Sequence, residues 1–188
     1  MHRLRRRLAL LPWSRRFASF RELGVEGRLC DALREMGIDE EAPMPVQEKM
    51  LPLVLGGGSA LGTAPTGTGK TLAFLLPVVQ AIRRSEAEMV RGGKARGAQT
   101  RPGRPACVVL APSRELASQV TLVLKALSRH APVRSVLLTG AGKLRRERDG
   151  LAGPVDVVVG TPGRLQKHVD AGRLFLSSVR HVVVDEVR

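Results

Sequence analysis

Residues 64–71 read Ala-Pro-Thr-Gly-Thr-Gly-Lys-Thr, and these types at this spacing suit one task, holding a chain of phosphates. A phosphate cradle needs backbone N–H groups that converge on one point. Gly67 and Gly69 give the backbone the freedom to turn them inward, and Ala64, Pro65, Thr66 and Thr68 complete the loop. Lys70 is a cation long enough to reach the outer phosphates, and Thr71 offers a hydroxyl to a Mg2+ ion that travels with them. About 115 residues later, Val182-Val183-Val184 runs into Asp185 and Glu186. An acid at the end of an apolar strand can hold Mg2+ directly or through water, which is the part expected of Asp185. The adjacent Glu186 can orient or deprotonate an attacking water. The chemistry implied is cleavage of a nucleoside triphosphate, with Lys70, Asp185 and Glu186 as catalytic residues and Thr71 and Asp185 as metal ligands.

These residues need elements to position them. Near-continuous Val, Leu and Ala runs predict strands at 59–64, 106–111, 133–138, 155–159 and 182–184. Helices are predicted between them at 72–82, 114–129, 144–151 and 163–171, and two more precede the phosphate loop. Ser19 and Glu22 have the spacing of a capping box, so the first helix is expected to start there, to turn Leu29, Leu33 and Met36 inward and to stop at Gly37. The second is expected around 47–55, with the Gly56-Gly57-Gly58 turn after it. Strands that are apolar on both faces and alternate with helices indicate an α/β fold: a doubly wound, mainly parallel sheet. Ligands of such sheets sit beyond the C-terminal strand ends, and every motif named here falls on one of those ends.

The chain of 188 residues carries a net charge of +14, and the charge is concentrated. Residues 1–20 hold six arginines and no acid, and residues 83–104 hold a net +5. The remainder is close to neutral, so net charge alone says little about a polyanionic partner. Residues 1–18 form a basic arm with Leu4, Leu8 and Leu11 on one helical face, the pattern of an organellar transit peptide. The expected location is a mitochondrion or plastid; a plain basic arm would instead suit a nucleolar or cytoplasmic protein. Residues 19–188 form the domain, with 85–104, rich in glycine and charge, expected as a mobile basic loop. No apolar run reaches the length of about eighteen residues that a membrane helix needs. Cys30 and Cys107 are expected to be buried, reduced thiols.

The segments between the two nucleotide motifs narrow the class. Pro112-Ser-Arg-Glu-Leu-Ala-Ser-Gln119 and Gly160-Thr-Pro-Gly-Arg-Leu165 resemble the RNA-contacting motifs of DEAD-box ATP-dependent RNA helicases. Phe20, Gly37 and Pro43-Met-Pro-Val-Gln47 resemble the adenine-reading Q motif of the same family. The resemblance runs from about Phe20 to Glu186 and implies an N-terminal RecA-like domain that binds ATP with Mg2+. It implies that Phe20 stacks on adenine and that Gln47 hydrogen-bonds the base. It implies that Pro112, Arg114, Gly140, Thr161, Gly163 and Arg164 line the path of one RNA strand, with little regard to base sequence.

The chain departs from the family pattern in several places. Ala64 opens the phosphate loop where Gly is usual, Met44 replaces a Thr, and Ala141 replaces a second Gly. The Asp-Glu-Ala-Asp signature reads Asp185-Glu186-Val187-Arg188, and the chain stops there. A second RecA-like domain is expected in a longer parent, and the chain as given is expected to bind ATP weakly without useful turnover. Two other readings use the same residues: a non-enzymatic nucleotide- or RNA-binding half-domain, and a P-loop kinase.

Overall fold

The structure, a computed structural model, describes residues 19–95, 97, 101–140 and 144–186. The expectations for the arm at 1–18, for Ala141, and for Val187 and Arg188 fall outside the described residues.

Two short strands, β1 (Arg101–Pro102) and β4 (Pro154–Val155), pair antiparallel at one margin. Four longer ones, β2 (Cys107–Leu110), β3 (Ser135–Leu138), β5 (Val157–Gly160) and β6 (His181–Val184), form a sheet of order β3-β5-β2-β6 in which every pair is parallel. Valine dominates β2, β5 and β6 because its branched side chain packs well on a pleated surface. Period-two alternation then divides each strand between two cores. Cys107, Val109, Val157 and Val159 face one core, together with Leu33, Leu75, Leu76, Val79, Leu124 and Leu127. Those leucines and Val79 come from α1 (Gly27–Glu35), α3 (Lys70–Arg91) and α4 (Arg114–Leu127). Val108, Val158 and Leu138 face the other core, with Leu151 and Leu165 from α5 (Leu144–Ala152) and α6 (Pro162–Asp170). Helices on both faces of a parallel sheet make this the doubly wound α/β fold that the periodicity predicts.

Four local expectations are corrected. Ser19 Oγ does accept the Glu22 N–H at 3.2 Å, yet the segment it caps is a turn, and α1 begins only at Gly27. Gly24 at φ +92 breaks the first turn, and Gln80 clamps this bend by accepting from Glu26 N–H and donating to the Gly24 carbonyl. Residues 59–64 are not a strand. A strand exists through its ladder, but a cavity separates this segment from β6, and Leu61 is 94% exposed. The helix expected at 72–82 continues to Arg91, because Ser85–Val90 contains no breaker and Glu86 anchors it. Glu86 is buried, pairs with Arg83 and accepts the Gly97 N–H at 3.1 Å. The expected loop at 85–104 is therefore part helix and, at β1, part strand. The Phe175 N–H also donates to the Gly103 carbonyl at 2.7 Å, tying that end to the domain.

Candidate nucleotide and strand-end site

The phosphate loop owes its shape to two left-handed glycines, Gly67 at φ +80 and Gly69 at φ +81. Side chains avoid this region, so the loop can close only with glycine there. At Gly69 a Cβ would also lie 2.4 Å from Gln47 Nε2. Lys70 is the first residue of α3, a helix of 22 residues whose N-terminus points its unsatisfied N–H groups at the loop. The Lys70 ammonium folds back on the loop and donates to the carbonyls of Ala64 at 2.6 Å and Pro65 at 2.7 Å. Thr68 Oγ1 donates to the same Pro65 carbonyl at 2.7 Å.

Asp185 and Glu186 lie directly beyond β6. The Asp185 N–H donates to the Leu110 carbonyl at 2.9 Å, which carries the β2–β6 ladder one residue past the strands. The Asp185 carboxyl is buried, and burial raises its pKa, as does the charge of Glu186, while Lys70 acts in the opposite direction. Glu186 is exposed and sits at φ +52, a strained conformation for a residue with a side chain. Ala64, Pro65, Thr66, Lys70, Asp185 and Glu186 line one cavity of about 780 Å3, whose other wall is β6 and residues 57–63. The fold thus joins the two nucleotide motifs, although about 115 residues separate them.

The donor set fits Mg2+ carried by phosphates. No group of three or more His, Cys, Asp or Glu side chains placed to hold a metal ion exists among the described residues. A hard cation that keeps its waters and binds one or two protein oxygens needs no such group. The hydroxyl of Thr71 and the carboxylate of Asp185 are the two protein oxygens expected to serve it.

The two residues expected to read the base are both buried. Phe20 is 0% exposed and packs in the core. Gln47 is also buried, and both ends of its amide are engaged within the protein. Its Oε1 accepts the Met44 N–H at 2.8 Å, and its Nε2 donates to the Gly69 carbonyl at 3.1 Å. Gln47 therefore ties α2 (Pro45–Leu55) to the phosphate loop, and each end of its amide keeps one further hydrogen-bonding position.

The residues assigned to RNA lie along the same end of the sheet. Following the strand order, Gly140 stands beyond β3, Thr161, Gly163 and Arg164 beyond β5, Pro112 and Arg114 beyond β2, and Asp185 beyond β6. Ladder-like bonds fix each exit: Thr161 N–H to the Leu138 carbonyl and Ala111 N–H to the Gly160 carbonyl, at 3.1 and 3.0 Å. The helices α4 and α6 start on this face. Ser113 caps α4 by accepting the Leu116 N–H at 3.1 Å, and Thr161 stands at the N-cap of α6. Pro112, Arg114, Gly140 and Gly163 are exposed.

A buried cluster that the sequence reading missed joins two of these exits. Glu147 of α5 is only 4% exposed. Its Oε1 accepts the N–H groups of Thr139 and Gly140 at 3.1 and 3.0 Å. Its Oε2 accepts from Arg164 Nε at 2.7 Å and from His168 Nε2 at 3.0 Å. Burial pushes the Glu147 pKa up, but the bonds from His168, the Gly140 N–H and Arg164 outweigh it and hold the carboxyl below its ordinary value. The signal was present in the sequence. Glu147 and Leu151 stand four residues apart on α5, which puts an acid on the inward face, and His168 follows Leu165 by three residues on α6.

Comparison with known proteins agrees with this geometry. The family model described as DEAD/DEAH box helicase matches residues 44–188. A protein named DEAD-box ATP-dependent RNA helicase 39, from Arabidopsis thaliana, is 40% identical over 168 residues, 89% of this chain and 26% of the relative. An ATP-dependent rRNA helicase from Aspergillus terreus is 37% identical over 89% of this chain and 34% of its own length. The crystal structure of a hypothetical ATP-dependent RNA helicase from Sulfolobus tokodaii superposes with a TM-score of 0.69 at 28% identity, covering 85% of this chain and 40% of that one. The chain thus spans about a quarter to a third of the length of these curated relatives.

Proposed function

Since the chain belongs to the DEAD/DEAH box helicase family, we propose that it is the ATP-binding, RecA-like half of an ATP-dependent RNA helicase. The observation that carries the proposal is that one sheet end holds two adjoining sites. The phosphate loop and Asp185-Glu186 share a cavity at the β6 side, and the exits of β2, β5 and β3 form a row beside it.

Mg2+-ATP bound at the cavity would supply a phosphoryl group whose transfer to water resets the enzyme. The chain's own residues act as follows. Gly67 and Gly69 let the backbone N–H groups converge on phosphate oxygens, assisted by the N-terminus of α3. Lys70 exchanges the carbonyls of Ala64 and Pro65 for phosphate oxygens, a charge-assisted contact stronger than the ones it leaves. Thr71 and Asp185 serve as metal oxygens, and Glu186 orients the attacking water. The row of exits takes the sugar-phosphate backbone of one RNA strand, through the N-termini of α4 and α6 and the arginines Arg114 and Arg164. Recognition of that kind is largely independent of base sequence. A second RecA-like domain, facing the same sheet end, would supply the opposite wall.

The test is binding of a fluorescent ATP analogue by the 188-residue chain, with and without single-stranded RNA. Binding that depends on Lys70 and that RNA strengthens is the expected result. Equal binding by Lys70→Ala would refute the nucleotide assignment.

A further inference from the structure

We propose that Glu147 is a positioning residue that sets the Arg164 guanidinium for a phosphate of the bound strand and locks the β3 exit against it. The inference rests on the reading that this sheet end binds RNA.

Arg164 reaches the exit row from α6 with its side chain 19% exposed. Only its Nε is engaged, by Glu147 Oε2. The terminal nitrogens make no hydrogen bond among the described residues, so they form an open fork of the shape that meets a phosphate with two parallel bonds. An arginine side chain left to itself samples many rotamers, and each phosphate contact would cost that freedom. Here the cost is met on folding, because a buried carboxylate already holds the guanidinium by its inner edge.

The same carboxylate shapes the neighbouring exit. Oε1 takes up the N–H groups of Thr139 and Gly140, which leaves Gly140 no amide to offer a ligand. The part of Gly140 is therefore steric. Its φ is +75, and a Cβ there would lie 3.6 Å from Arg164 Cδ. The absent side chain leaves the approach to Arg164 clear. His168, 1% exposed, fixes Oε2 from below at 3.0 Å and so keeps the carboxylate from turning. The β3 exit, the β5 exit and α5 are thus held in one orientation by a single acid.

The experiment measures affinity of the 188-residue chain for a fluorescent oligouridylate at several salt concentrations, for the wild type, Glu147→Gln, Arg164→Ala and the double variant. Glu147→Gln is the informative change, because it keeps the shape. Its Oε1 still accepts from Thr139 and Gly140, whereas its NH2 group cannot accept from Arg164. Loss of one phosphate contact on a single strand lowers the slope of log affinity against log salt by about 0.7. Arg164→Ala and Glu147→Gln are both expected to show this smaller slope and an affinity about tenfold lower. The double variant is expected to bind no worse than Arg164→Ala, since both changes remove one contact. A Glu147→Gln variant with the wild-type slope would overturn the proposal, whether or not its affinity or melting temperature falls. So would additive losses in the double variant. In either case an intact dependence on Arg164 would leave the RNA reading standing. A wild-type chain with no affinity for the oligouridylate would instead refute that reading itself.

Discussion

Gln47 and Gly69 are joined by a hydrogen bond of 3.1 Å from the side-chain amide of one to the carbonyl of the other, across 22 residues of sequence. Gln47 also closes the first turn of α2 by accepting the Met44 N–H. The phosphate loop is therefore braced from behind by the helix that precedes it. Gln47→Ala is expected to destabilise the domain by about 1–2 kcal/mol, the worth of a helix cap and a buried hydrogen bond. The substitution should also weaken ATP binding. Titration of wild type and variant with ATP checks this, and an unchanged affinity would show that the amide matters neither to the loop nor to the nucleotide.

Lys70 makes its present bonds to two carbonyls of its own loop, at a partly exposed position. Lys70→Ala should therefore leave the unfolding free energy within about 1 kcal/mol of wild type, a common result for such positions. Binding of the triphosphate should fall by tenfold or more, as expected for loss of a charge-assisted contact. Calorimetric melting and nucleotide titration on the same sample separate the two effects.

Asp185 has its carboxyl pKa raised, first by burial and then by Glu186. The folded state therefore disfavours the charged form relative to the unfolded chain. The penalty is complete above the folded pKa and is relieved as pH falls through it toward the ordinary aspartate value of 3.8. Asp185→Asn is expected to melt at a higher temperature than wild type at pH 7. The difference should vanish on acidification. The same variant should lose the Mg2+ dependence of nucleotide binding, which melting with and without the metal and nucleotide will reveal.

Cys107 lies in β2 with no exposed surface, and burial pushes its thiol pKa up to about 12. Cys30 is also buried, and burial raises its pKa too. The thiolate is the reactive form. Neither residue should react with iodoacetamide at pH 8 in the native protein, and both should react in denaturant. Mass spectrometry of the alkylated chain decides it.

Gly160 ends β5 where β3 lies closest. A Cβ there would sit 2.2 Å from the Leu138 carbonyl oxygen and 2.6 Å from a Leu165 methyl. The obstacle on one side is backbone, so the two strands would have to part. Gly160→Ala is expected to cost about 3 kcal/mol or more, in the range of severe overpacking. Chemical denaturation measures it, and a change below about 1 kcal/mol would show that the strand pair yields.

Much of the site was legible because its chemistry is local. The turn of the phosphate loop needs glycine at 67 and 69 whatever surrounds it, and a valine run into Asp185 is a strand end in any context. The errors came where a distant partner decides. Ser19 and Glu22 form their cap bond but not the helix, because Gly24 and Gln80 bend the chain away. Composition at 85–104 suggested a loop, but Glu86 had a place in the domain and prolonged α3.

The sequence by itself determined which groups this protein possesses and where most of its strands end, since backbone freedom, branching and charge are properties of single residues and short runs. Only the tertiary structure decided which ends stand side by side. The order β3-β5-β2-β6 places Asp185 against the exit of β2 and Gly140 against that of β5. It also lets Glu147 hold Gly140, Arg164 and His168 with one carboxylate. That arrangement depends on parallel crossovers closing over long loops and on two cores filling opposite faces of one sheet. A buried acid becomes favourable only after those contacts have assembled its partners, so no short stretch of sequence could show it.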